Sequence, residues 1–266
     1  MYNQSSILIA SVLFVSMLLL IEAGYRLGLA AAPGTSESSR THINAVQTSL
    51  LGILALLLAF TFSLALQRFD SRSAAVVDEA NAIGTAYLRT QLLPVSVRND
   101  ARQGLRNYLD LRVAAGVISL DNPAEREALL AKSTQSLDAL WRHAMQAAEV
   151  DARQVTSGLF IQSLNEVIDS FARRDAALNK HVPEVVLFLL YGVFIVTGGI
   201  IGYTCGIAGH RPSFVSYTMV TLIVLLVFII IDLDHPRRGL IKVSQKSLTD
   251  LHAAIAAGRN SEVLKQ

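Results

Sequence analysis

Charge is scarce in this chain of 266 residues: Asp, Glu, Lys and Arg together make up 17%, against about 25% in an ordinary soluble domain. Cysteine is scarcer still. The single Cys205 excludes a disulfide scaffold, and its place inside an apolar run makes it a small packing side chain rather than a nucleophile. The six histidines fall in separate local contexts, none with a second His or a Cys at metal-ligand spacing. Neither a Gly-rich phosphate loop nor a Gly-x-Ser-x-Gly turn occurs. A net charge of +2, with bases matched by acids, leaves no electrostatic footprint for nucleic acid. These absences exclude a soluble enzyme of ordinary type, and the expectation is a protein that is not an enzyme and carries no cofactor.

What the chain does have is apolar sequence, 52% of the total, gathered into blocks. A membrane span needs roughly 20 apolar residues to cross a hydrocarbon core about 30 Å thick. Four blocks meet that requirement: residues 7–32, interrupted by Glu22 and Arg26; 45–66, without one charge; 185–208; and 214–231. The first block ends in Ala30-Ala31-Ala32, which resembles a cleavage site. Residues 1–6 hold no Lys or Arg, however, and the apolar part is long for a signal peptide, so it is read as a span.

Between the second and third blocks lie residues 67–184, with 14 of the 23 Lys and Arg. Helix runs through this segment. The second span continues without a breaker to Pro94, and Ser96 to Ala115 forms another helix with Leu105 and Leu109 one turn apart. Asp121-Asn122-Pro123 is a helix start, and a stripe of Leu159, Leu164, Ile168 and Phe171 leads toward Pro183. The expected fold is all-α: a polytopic membrane protein with four transmembrane helices and a helical cytoplasmic insert between the second and third. Its parts are residues 1–66 (spans one and two), 67–184 (cytoplasmic helices), 185–231 (spans three and four) and 232–266 (cytoplasmic tail). Basic residues near span ends number nine on one side and two, Arg40 and Arg211, on the other. By the positive-inside rule both termini and the insert are cytoplasmic.

Three places invite a functional reading. Glu22 and Arg26, four residues apart on span one, form a membrane-embedded ion pair. On span two, Thr48, Ala55, Phe62, Leu66 and Phe69 fall on one stripe, small and polar at the outer half and aromatic at the inner end. Such a stripe serves either as a helix-packing face or as the lining of a pore that narrows to a hydrophobic constriction. The third place is a pair of cytoplasmic polar clusters: Asp78, Glu79 and Asn81 after span two, and Asp232, Asp234, Arg237 and Arg238 after span four. Two carboxylates are far fewer than the 6–8 oxygens calcium takes, so ion pairs are expected there and no metal site is.

Two stretches resemble a known family. One contains Glu79-Ala80-Asn81-Ala82-Ile83-Gly84-Thr85, followed by Leu93-Pro94 and Leu105-Arg106-Asn107-Tyr108. The other runs from Asp232-Leu233-Asp234-His235-Pro236-Arg237-Arg238 to Gln245, followed by Leu248. Both are similar to the bacterial bestrophin-like domain family. The resemblance implies a homo-oligomer, a pentamer in bestrophins, that passes inorganic ions through the bacterial inner membrane, anions more than cations, along a pore lined by the second span. It also implies a dense acidic cluster after span four, where only Asp232 and Asp234 stand. The alternative, from another class, is a non-conducting membrane scaffold or sensor that binds a partner through its cytoplasmic helices.

The charge asymmetry makes a direct prediction. A reporter enzyme fused after Gln266 is active only in the cytoplasm and one inserted at Ser36 only outside; the opposite pattern in paired fusion assays overturns the topology.

Overall fold

A computed structural model describes residues 5–118, 123–234 and 240–263, and every regular element among them is helical. The order is α1 (Ser6–Ala31), α2 (Glu37–Arg89), α3 (Val95–Val117), α4 (Pro123–Val150), α5 (Leu159–Asn179), α6 (Glu184–Ile207), α7 (Phe214–Asp234) and α8 (Lys246–Val263). Four helices are long and apolar enough to cross a membrane, those built on α1, α2, α6 and α7. The Asp121-Asn122 part of the expected helix start lies outside the described residues.

Element ends follow local chemistry. The Ser5 hydroxyl accepts from Leu8 N–H at 3.2 Å and caps α1. Ser36 does the same for the first turn of α2, accepting from Ser39 N–H at 3.3 Å. Proline at 94 and 183 stands immediately before α3 and α6, where its missing N–H costs nothing. Gly209, with φ of 74°, makes the left-handed turn that ends α6 and sends the chain into α7. Asp151 accepts from the N–H and guanidinium of Arg153 at 3.1 and 2.9 Å. That local bond competes with helix, so the stretch expected to be helical from Asp151 starts only at a π-helical turn, Gln154–Gly158.

The chain divides into two units, Met1–Phe69 with His181–Ile241, and Asp70–Lys180 with Lys242–Gln266. The residues after α7 are therefore shared between them. α2, 53 residues without a break, gives its first part to one unit and its second to the other. At 1.5 Å per residue it is about 80 Å long, far more than a bilayer core.

In the first unit, Leu13, Met17 and Ile21 of α1 belong to one buried apolar cluster with Leu54 and Leu58 of α2, Phe194 of α6, and Val220 and Ile230 of α7. Lipid offers helices no hydrophobic drive to associate, so close packing must supply it. It does so at glycines. A Cβ on Gly24 or Gly28 of α1 would collide with the carbonyls of Gly199 or Tyr203 on α6, and one on Gly202 or Gly206 with those of Ile21 or Tyr25. Hydroxyls buried in the spans are satisfied one turn back: Thr61 donates to Leu57 O and Thr197 to Val193 O, each at 2.7 Å.

The second unit has an ordinary aqueous-type core. Val76, Ile83 and Ala86 of α2, Leu105 and Leu109 of α3, Leu137 and Leu140 of α4, and Phe160, Leu164 and Val167 of α5 are buried. Leu105 and Leu109 lie inward as their spacing required. On α5 the buried face is rotated from the expected stripe: Leu164 is central, but Phe160, Val167 and Arg174 accompany it, and Leu159 and Ile168 sit at the margin.

The glycine contact is testable. Gly202→Ala forces α1 from α6 and destabilises the protein by roughly 1–3 kcal/mol or more, whereas Gly192→Ala, with open space around its Cβ, leaves it unchanged. Thermal unfolding in detergent, followed by loss of the native elution peak, distinguishes them; equal melting would show that the helices need no such approach.

Candidate pore-lining helix and its buried charges

Within the first unit α2 has two unlike sides. Leu54, Leu58, Thr61 and Ala65, spaced by three or four, are buried. Around the helix from them, Ser49, Gly52, Ala59 and Ser63 are exposed. The five candidates from sequence fall between these sides and do not behave alike. Thr48, Ala55 and Leu66 are exposed, while Phe62 and Phe69 are half-buried and pack against the chain's own core. The hydroxyls of Thr48 and Ser49 donate to Asn44 O and Ala45 O at 2.9 and 3.0 Å, which leaves their oxygens free to accept from water.

Glu22 and Arg26 pair on α1, Nε to Oε1 at 2.8 Å, with side chains 42% and 76% exposed in the single chain.

The second unit holds a buried ionic cluster. Glu79 sits on the inward stripe of α2 with Val76, Ile83 and Ala86, and is fully buried. Its Oε1 accepts from Arg112 Nε at 2.6 Å and from the Tyr108 hydroxyl at 3.0 Å; its Oε2 accepts from Arg112 Nη2 at 3.3 Å and from Arg174 Nη1. Arg174 Nη2 donates to Gln245 Oε1 at 2.6 Å, and the Arg112 guanidinium lies 4.7 Å above the Phe171 ring. Burial alone would raise the Glu79 carboxyl, but the Arg112 and Arg174 charges outweigh it and hold it below the ordinary value. Burial, then the Glu79 charge, pushes the Tyr108 hydroxyl well up, so it stays a donor. Nearby Arg72 is buried too, its Nε 3.2 Å from Ala177 O and Nη2 2.6 Å from Lys180 O. It caps the carbonyl end of α5, where a cation is favoured.

Glu79 thus parts company with its neighbours in sequence. Asp78 and Asn81 are exposed and line a cavity of about 620 Å³ together with Thr85, Gln162, Glu166 and Arg173. The carboxylates after the fourth span are buried in the first unit. Asp232 accepts from Leu240 N–H at 3.1 Å and Ile241 N–H at 2.8 Å, and Asp234 from Val182 N–H at 3.1 Å with His181 Nδ1 3.6 Å away. Backbone amides donate to both, and no group of three or more His, Cys, Asp or Glu side chains that could hold a metal ion occurs among the described residues. The expected partners Arg237 and Arg238 lie outside the described residues.

Sequence reasoning missed Tyr108, Arg112, Arg174 and Gln245. One signal was available: a Glu on the same three-and-four spacing as Val76 and Ile83 has to be buried, and a buried carboxylate has to find cations. Which cations it finds depends on three other segments, and local pattern does not tell.

Removing that charge has a defined consequence. Glu79→Gln leaves two guanidinium groups buried without a counter-charge and costs about 3–5 kcal/mol. Because the folded carboxyl titrates below the ordinary glutamate value, its contribution is complete above that ordinary value and fades as pH falls through the lowered folded one. Melting curves in detergent at pH 7 and pH 4 are expected to show a larger drop for the native chain than for Glu79→Gln; equal melting at pH 7 would contradict the cluster's role.

The bestrophin-like domain family matches residues 13–248. No curated protein matches the chain. Among solved structures, a single-substitution variant of a bacterial bestrophin homologue from Klebsiella pneumoniae is similar at 13% identity, covering 91% of this chain and 97% of its own, with a TM-score of 0.66. A second variant of that homologue matches at 14% identity, over 91% and 97%, with a TM-score of 0.65. At these identities the likeness is one of fold. With its four apolar helices, helical insert and matched length, the chain is a multi-pass membrane protein that belongs to the bestrophin-like family.

Proposed function

We propose that copies of this chain assemble into an ion channel in the bacterial inner membrane, with both termini cytoplasmic and the exposed side of α2 around a central path. The observation that carries this reading is that side itself. Over the length of a span it bears no charge, and beside the exposed Leu56 and Phe60 it presents Ser49, Gly52, Ala59 and Ser63, a cluster of small and hydroxyl-bearing groups. Small and hydroxyl-bearing groups let water in; the aromatic end below them narrows the path. Thr48, Ala55 and Leu66 border the same opening, and Phe62 and Phe69 reach it from the margin. The membership in a family named for bestrophins supports the reading, as does the fold of the solved homologues. A ring of five copies, as the resemblance implies, would enclose such a path.

Conduction through this path depends on the width and wetting of its inner end. A ring of Phe62 side chains excludes water, and the closed state needs no moving gate beyond that. The half-burial of Phe62 against its own core favours a second reading, in which it only packs and the chain is a non-conducting scaffold.

Flux from reconstituted Phe62→Ala separates the two. A constriction predicts more ion flux than the native chain at unchanged native size. A packing role predicts a less stable protein, by up to roughly 3–5 kcal/mol for a fully packed site, with flux still at background; that result would remove the channel reading.

A further inference from the structure

The cluster around Glu79 is one negative charge short. Two guanidinium groups, those of Arg112 and Arg174, meet a single carboxylate, and Glu79 is the only buried carboxylate of the second unit among the described residues. None of the other carboxylates on α2, α3 and α5 is buried. The Tyr108 hydroxyl, held as a donor, brings no negative charge, and the Gln245 amide is neutral.

Donors are in excess as well. Arg112 Nη1 and Arg174 Nε are enclosed and have no hydrogen-bond partner among the described residues, on side chains only 3% and 1% exposed. Buried donors are rarely left in that state, and an uncompensated charge in the interior costs more than an unpaired dipole. A water molecule would accept from either N–H group and leave the charge where it is. The Phe171 ring offers its face to Arg112 at 4.7 Å, a weaker offset than a counter-charge.

We infer that this cluster binds one small monovalent anion, of the size of chloride, against Arg112 Nη1 and Arg174 Nε. A single negative charge neutralises the group, and each of the two N–H bonds to it is charge-assisted. A divalent or polyatomic ion would overcompensate and bring more acceptors than the two free donors can meet. Gln245 is the half-buried member of the cluster, so the ion exchanges with solvent past its side chain. The whole site lies within the second unit and holds its ion as part of the fold, whether or not the chain conducts.

The test is the melting of the full chain in detergent at constant ionic strength as sodium chloride replaces sodium gluconate, whose anion is too large for the site. Binding to the folded state alone raises stability by mass action, so the native chain is expected to gain several degrees, saturably, and bromide is expected to substitute for chloride. The variants move in opposite directions. Arg174→Gln leaves one cation against one carboxylate and is expected to lose the halide dependence, whereas Glu79→Gln removes the only internal counter-charge and is expected to deepen it. Melting that follows ionic strength alone, or a halide dependence that is the same in Arg174→Gln as in the native chain, overturns the inference. Crystals of the native chain grown in sodium bromide decide the matter without a variant: an anomalous peak within hydrogen-bond distance of Arg112 Nη1 or Arg174 Nε is expected, and a cluster without one overturns the site.

Discussion

A carboxylate shut away from water between two guanidinium groups ties together the second unit of this protein. Glu79 belongs to α2, Tyr108 and Arg112 to α3, Arg174 to α5, and Gln245 to the turn before α8. Each of these groups would be costly to bury alone. Together they satisfy most of one another's hydrogen bonds, and the arrangement fixes the rotation of α2 about its own axis. Rotation matters because the helix is long. With Glu79 inward, the residues three and four steps away are inward as well, and Asp70, Asp78 and Asn81 are left outside.

The same helix meets a different constraint in the membrane. There the hydrophobic effect does not press helices together, and the α1–α6 pair is held by backbones that approach at Gly24, Gly28, Gly202 and Gly206. α2 packs on its Leu54–Leu58–Ala65 side, and the other side is exposed among the described residues. That side mixes small and hydroxyl-bearing residues, Ser49, Gly52, Ala59 and Ser63, with the exposed Leu56 and Phe60. In the channel we propose, other copies of the chain and the path they enclose would cover that side.

Much of the fold was legible because its signals are long. Spans are runs of about 20 apolar residues, and the unbroken continuation of α2 past the membrane follows from the lack of Gly or Pro between Gln67 and Gly84. Leu105 and Leu109 turn inward as their spacing requires. The ionic cluster was not legible, since Arg112 and Arg174 look from sequence like any arginine on a polar helix. Arg72 and Arg174 counted as positive charges flanking spans, and the structure uses both as buried donors. The stripe on α2 named from sequence straddles its two sides: Phe62 and Phe69 sit nearer the packed side than the open one, because neighbours on other helices decide which part of an apolar surface is covered. Asp232 and Asp234 hold backbone amides, a partnership that composition does not reveal.

The central claim is that water and ions pass along the open side of α2. The most direct measurement places single cysteines at Ser63 and at Leu54 in a Cys205→Ala background, and records current while a small charged thiol reagent is applied from the aqueous side. The account predicts that modification of Ser63→Cys blocks the current while Leu54→Cys is indifferent. Current that persists unchanged through modification of Ser63→Cys, or a block confined to Leu54→Cys, would contradict it.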